Sequence, residues 1–90
     1  MSVSISFPAM IADRIGAGCV DVHGGTVGEA LHALTARYPQ LAGLLWERPG
    51  ELNDFLVLFL NGEHLAAAQA LQTPLAAGDE LMIVGAAEGG

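Results

Sequence analysis

An α+β fold, with one main helix packed across a mixed sheet, is predicted by three observations in this chain of 90 residues. Val3, Ile5 and Phe7 alternate with Ser2, Ser4 and Ser6. A period of two marks a strand with one buried face and one wet face. Val27, Ala30, Leu31, Leu34 and Tyr38 recur at helical spacing behind Thr26. Phe55-Leu56-Val57-Leu58-Phe59-Leu60 is continuously apolar, as befits a strand well inside a sheet. A chain this short holds one domain built from two layers.

The elements follow in order. Pro8 stops the first strand, and the stretch up to Gly18 carries no regular pattern in this reading. Cys19-Val20-Asp21-Val22 reads as a second strand antiparallel to the first, ended by Gly24-Gly25, with Cys19 expected to be buried among small apolar neighbours. Thr26-Val27-Gly28-Glu29 is a capping box: threonine at the N-cap, glutamate three residues on. Pro39 ends the helix near Tyr38, and His32 falls on its solvent side. Leu41, Leu44, Leu45 and Trp46 suggest one short turn under the core, and Pro49-Gly50 a reversal. Asn61-Gly62 closes the apolar strand. Residues 63–73 show no clear period, and the turn Ala77-Gly78-Asp79 precedes a last strand, Glu80-Leu81-Met82-Ile83-Val84. The first and last strands are expected to lie side by side at the centre. The domain is taken as residues 1–84, with 85–90 as a flexible tail of small and polar residues.

The helix covers one side of this sheet. An apolar strand with no second helix to hide its other side points to an exposed protein-docking surface, formed by Phe55, Val57 and Phe59. The alternative, that residues 40–54 fold over that side, is left open by the sequence.

Composition excludes several functions. The hydrophobic fraction of 52% argues against intrinsic disorder. The net charge is −7, and Arg14, Arg37 and Arg48 are the only residues of the Lys/Arg type. Nucleic acid and anionic membrane both require a basic footprint, so neither is an expected partner. No apolar run approaches the ~20 residues of a membrane span. No basic-then-apolar leader opens the chain, and the lone Cys19 offers no internal disulfide, so a cytoplasmic setting is expected. His23, His32 and His64 are too scattered for a metal site. No phosphate loop or nucleophile–base–acid set is visible.

Four blocks in fixed order carry a resemblance: Thr-Val-Gly-Glu-Ala-Leu at 26–31 with Tyr38-Pro39, the strand 55–60 with Asn61-Gly62-Glu63, Leu75-Ala76-Ala77-Gly78-Asp79-Glu80-Leu81, and the terminal Gly89-Gly90. Together they resemble the MoaD/ThiS family of ubiquitin-like, β-grasp sulfur carriers over essentially the whole chain. The tail here, Val84-Gly85-Ala86-Ala87-Glu88, lacks the prolines frequent in that family, and Glu88 sets a charge beside the end.

The resemblance implies a cycle rather than a catalyst. An E1-like adenylating enzyme spends ATP to activate the Gly90 carboxylate. A sulfur donor converts the adenylate to a thiocarboxylate, and a downstream synthase takes the sulfur. Gly90 is then the attachment point, and Gly89 and Glu88 thread the partner's site. Glycine suits this because no Cβ obstructs close approach to a nucleotide. Six extended residues span up to ~20 Å, enough to leave the domain outside. No catalytic residue, metal or bound cofactor is expected in the chain itself. The acceptor is a synthase of cysteine or thio-metabolite formation, or the large subunit of molybdopterin synthase. Two rivals remain: a ubiquitin-like modifier of protein lysines, and a non-covalent interaction domain whose Gly-Gly end has no role.

Overall fold

The computed structural model describes residues 2–85, apart from the side chain of Met10. Residues 86–90, and with them Glu88, Gly89 and Gly90, lie outside the described residues. The strands and helices are β1 (Val3–Ser6), α1 (Ala9–Ile15), β2 (Cys19–Val22), α2 (Val27–Arg37), α3 (Ala42–Leu45), β3 (Trp46–Arg48), β4 (Glu51–Leu52), β5 (Leu56–Leu60), β6 (Glu63–His64) and β7 (Glu80–Gly85). Single 3₁₀ turns at Pro39–Leu41 and Ala70–Gln72 complete them.

Five strands form one sheet in the order β2-β1-β7-β5-β6. β1 runs parallel to β7, pairing Ser4 with Glu80 and Ser6 with Met82. The other pairs are antiparallel, so the sheet is mixed. The first and last strands thus lie side by side within the sheet, as expected from the order of elements. β7 carries the ladder one residue past the boundary drawn at 84, because Gly85 still pairs opposite Leu56.

α2 forms where the capping box said it would. The Glu29 amide donates to Thr26 Oγ1 at 3.2 Å. The Glu29 carboxylate reaches back to the Gly25 amide at 2.8 Å, so two N–H groups at the helix start are satisfied reciprocally. The backbone of Gly24 passes so close to this first turn that a Cβ there would lie 2.6 Å from the Ala30 nitrogen. Val27, Ala30, Leu31 and Leu34 are buried against the sheet. They meet Val3, Ile5, Val20, Val22, Leu58, Leu81 and Ile83 in a core that is wholly aliphatic among the described residues. No buried polar side chain interrupts it there.

Three expectations are corrected. Residues 9–15 are a helix, not an irregular segment. Ile11 is buried, Pro8 leads in without needing an amide partner, and Gly16 closes the turn at φ 72°. Seven residues are too few for a clear helical period, so the tertiary contact of Ile11 decides the element. Cys19 is exposed. The period of two buries Val20 and Val22, and Cys19 must then share the outward face with Asp21. His32 is exposed, yet it is not merely solvated: its ring stacks on Trp46 with centroids 4.6 Å apart.

Residues 40–54 do reach the core, on the helix side. Leu41 and Leu45 are fully buried there. Trp46 donates its indole N–H to Thr35 Oγ1 on α2 at 3.3 Å. Beyond it β3 and β4 form a small hairpin turned at Gly50, φ 79°. The sheet's other face is left uncovered by this segment.

Candidate docking face and tail exit

The strand registers assemble the uncovered face row by row. One row crosses all five strands: Cys19, Ser6, Met82, Phe59, His64. On one side of it lies Asp21–Ser4–Glu80, and on the other Val84–Val57. Every inward neighbour, such as Val20, Ile5, Leu81, Ile83 and Leu58, belongs to the core. The period of two therefore sends these side chains to the face opposite α2.

The face has two halves. Val57, Phe59, Met82 and Val84 form an apolar half, with Met82 48% exposed. Phe55 stands at the entry to β5 and is 66% exposed, held there as the Phe55 amide donates to Asn53 Oδ1 at 3.0 Å. His64 tilts against Phe59 with ring centroids 5.5 Å apart. The other half is polar and acidic: Ser4, Ser6, Asp21 and Glu80. A contiguous apolar patch beside acidic groups is the pattern of a protein-binding surface.

The structure places all three residues singled out from the sequence, Phe55, Val57 and Phe59, where solvent reaches them. Sequence reasoning missed Met82 and Val84, which complete the patch. Their signal was present, since Leu81 and Ile83 alternate with them and claim the core. What was lacking was the register that sets Met82 against Phe59 and Val84 against Val57.

The strand that ends the domain exits beside this patch. Gly85 lies opposite Leu56, one pair beyond Val84–Val57. The chain that follows therefore starts at the apolar end of the face. The base of β7 is anchored equally firmly. Asn61, in the left-handed region at φ 51°, donates from Nδ2 to Asp79 Oδ1 at 3.1 Å and accepts from the Glu80 amide at 2.9 Å. Asp79 Oδ2 accepts from the Ala76 amide at 2.8 Å. That amide first, and the Asn61 amide second, hold the Asp79 carboxyl below its ordinary value of 3.8. Asn61-Gly62 thus closes the β5–β6 turn and pins the start of β7 at once.

No group of three or more His, Cys, Asp or Glu residues that could hold a metal ion occurs among the described residues. No described helix is long and apolar enough to cross a membrane.

A family model described as the ThiS family matches residues 11–90. The chain belongs to the ThiS family. Its sheet order and crossing helix are the β-grasp of ubiquitin-like proteins. The sulfur carrier protein CysO of Mycobacterium tuberculosis is 30% identical to this ThiS-family chain over 93 residues, covering 100% of each. The crystal structure of M. tuberculosis CysO superposes with a TM-score of 0.82 at 29% identity, covering 93% of this chain and 98% of that one. The small archaeal modifier protein 1 of Haloferax volcanii is 43% identical over 72 residues, 79% of this chain and 78% of its own. Its crystal structure gives a TM-score of 0.83 at 34% identity, covering 94% of each chain.

Proposed function

We propose that this ThiS-family chain is a sulfur carrier whose Gly90 carboxylate is adenylated by an E1-like enzyme and then converted to a thiocarboxylate. The observation that carries the reading is the position of Gly85, at the apolar end of the uncovered face. An enzyme seated on Phe55, Val57, Phe59 and Met82 has the chain's continuation delivered beside it. Five further residues reach about 17 Å if extended, which is enough to enter a closed nucleotide site while the domain stays outside. Gly89 and Gly90 offer no Cβ to clash there.

The chemistry belongs to partners. The carboxylate oxygen attacks the α-phosphorus of ATP, and pyrophosphate leaves. A hydrosulfide-equivalent donor then attacks the acyl carbon, AMP leaves with the oxygen, and a thiocarboxylate and a proton remain. The thiocarboxylate sulfur is soft and nucleophilic, and a downstream synthase accepts it. The carrier supplies position and a handle. The full-length likeness to CysO, itself named a sulfur carrier, supports this reading and favours a synthase of cysteine or a related thio-metabolite. The likeness at 43% identity to a small archaeal modifier supports a second reading, in which the same activated Gly90 is passed to a lysine of a target protein.

One measurement separates them. The chain is incubated with an E1-like enzyme, ATP, sulfide and a lysine-bearing acceptor protein, and the masses of the products are read. Exchange of one oxygen for one sulfur on the fragment containing Gly90 is the expected result. Higher-mass conjugates without that exchange favour the modifier. A chain lacking Gly90 that still functions in the cell sinks both.

A further inference from the structure

Around the edge of the sheet from the docking face lies a cleft of about 560 Å³. Its walls are the 50–54 turn on one side and residues 64–71 on the other, with β5 as its floor. Leu52, Leu56, Leu65 and Leu71 line it. Each packs against the core with part of its surface and leaves the rest to solvent. The cleft exists because β6 pairs only with Phe59 and Leu60, so the first half of β5 has no full-length neighbour on that side.

The lip is acidic. Glu51 and Asp54 stand on it, and both are exposed. Glu51 holds Arg48 at 3.3 Å, whereas Asp54 has no ion pair among the described residues. The opposite wall carries His64, which also ends the long row of the docking face. Val57 likewise lines the cleft from the floor, so the two surfaces are continuous. Charge selects the occupant. Net charge disfavours a second copy, which carries −7, and residues 86–90 contain no cationic side chain, Glu88 being their one charged side chain.

We infer that this cleft seats a short segment of a protein partner that joins aliphatic anchors to a lysine or arginine, the anchors on the four leucines and the cation at Asp54. Apolar anchoring gives the affinity, and the charge pair gives register and choice of partner. The cleft is lined by residues between Gly50 and Leu71, and its occupancy is read without activating Gly90.

The test is amide chemical-shift mapping on the intact chain with two synthetic peptides, one alternating leucine with lysine and one alternating leucine with glutamate. The lysine peptide should shift the amides of Leu52, Leu56, Leu65 and Leu71 saturably, and the glutamate peptide should not. Asp54→Lys should weaken the lysine peptide about threefold or more, because it turns an exposed attraction into a repulsion. Ala68→Trp, at an exposed position on the wall, should block the cleft with the fold intact. Shifts confined to Phe59 and Met82, or insensitive to either variant, overturn the inference. Leu65 and Leu71 amides that move on removal of residues 86–90 assign the cleft to the tail, Leu56 being left out because it pairs opposite Gly85. Movement on dilution assigns it to a second copy, and either result also overturns it.

Discussion

Asp79 and Asn61 show how much one turn fixes. Asp79 is a side chain whose two oxygens accept from Ala76 and Asn61, and its charged form is the form those donors favour. Its folded pKa lies below 3.8, so its contribution to stability is complete above that value and is lost as pH falls through the lower folded value. Asp79→Asn should therefore unfold at lower urea than the parent at neutral pH. The gap should narrow once pH drops below the folded pKa, because the parent's carboxyl is then protonated too. A gap that stays constant across that range would show that shape, not charge, does the anchoring.

At the scale of elements, α2 stands out because local and tertiary signals agree. Its capping box, its apolar stripe and its proline stop all appear in the sequence and all hold in the structure. Thr26→Ala removes the acceptor for the Glu29 amide and should cost about 1 kcal/mol, read from urea unfolding, while Thr26→Ser should restore most of it. An unchanged midpoint would mean that the isolated bridge of Thr26 to Pro74 holds the helix start instead. α1 shows the opposite case. Its seven residues hold Ile11 in the core, and only packing against distant segments, the turn at Pro39–Leu41 among them, gives that residue a place to go.

For the whole molecule, the decisive property is an asymmetric sheet. One face is buried under α2, while the other keeps Phe59 and Met82 in solvent next to Glu80 and Asp21. The edge beyond β2 is managed differently: Arg37 Nη1 donates to the Asp21 carbonyl at 3.1 Å, which occupies an acceptor that a foreign strand would use. Met82→Glu lies on the open face, at a side chain that is 48% exposed. Its unfolding free energy should stay within about 0.5 kcal/mol of the parent, while adenylation by an E1-like enzyme at limiting carrier should fall at least about tenfold. Wild-type adenylation by this variant would remove the open face from the recognition reading.

Much of the fold was legible in the sequence because its cues are local. Alternation in 2–7 and the stripe behind Thr26 each state a period, and a period states which side is buried, while the apolar runs 55–60 and 81–84 state only that a strand lies inside the sheet. The order of four short blocks also carried the family resemblance. What only the tertiary structure decided is what depends on pairing between distant segments. The register of β7 against β5 brings Met82 to Phe59, the parallel pairing of β1 with β7 sets Ser6 and Ser4 beside them, and together they make one open face with an apolar half and a polar half. The cleft at Leu52, Leu56, Leu65 and Leu71 is of the same kind, since it arises where β6 stops after two residues. Cys19 marks the boundary between the two sorts of knowledge. Its residue type suggested burial, and its place in the strand period, once Val20 and Val22 had claimed the core, required exposure.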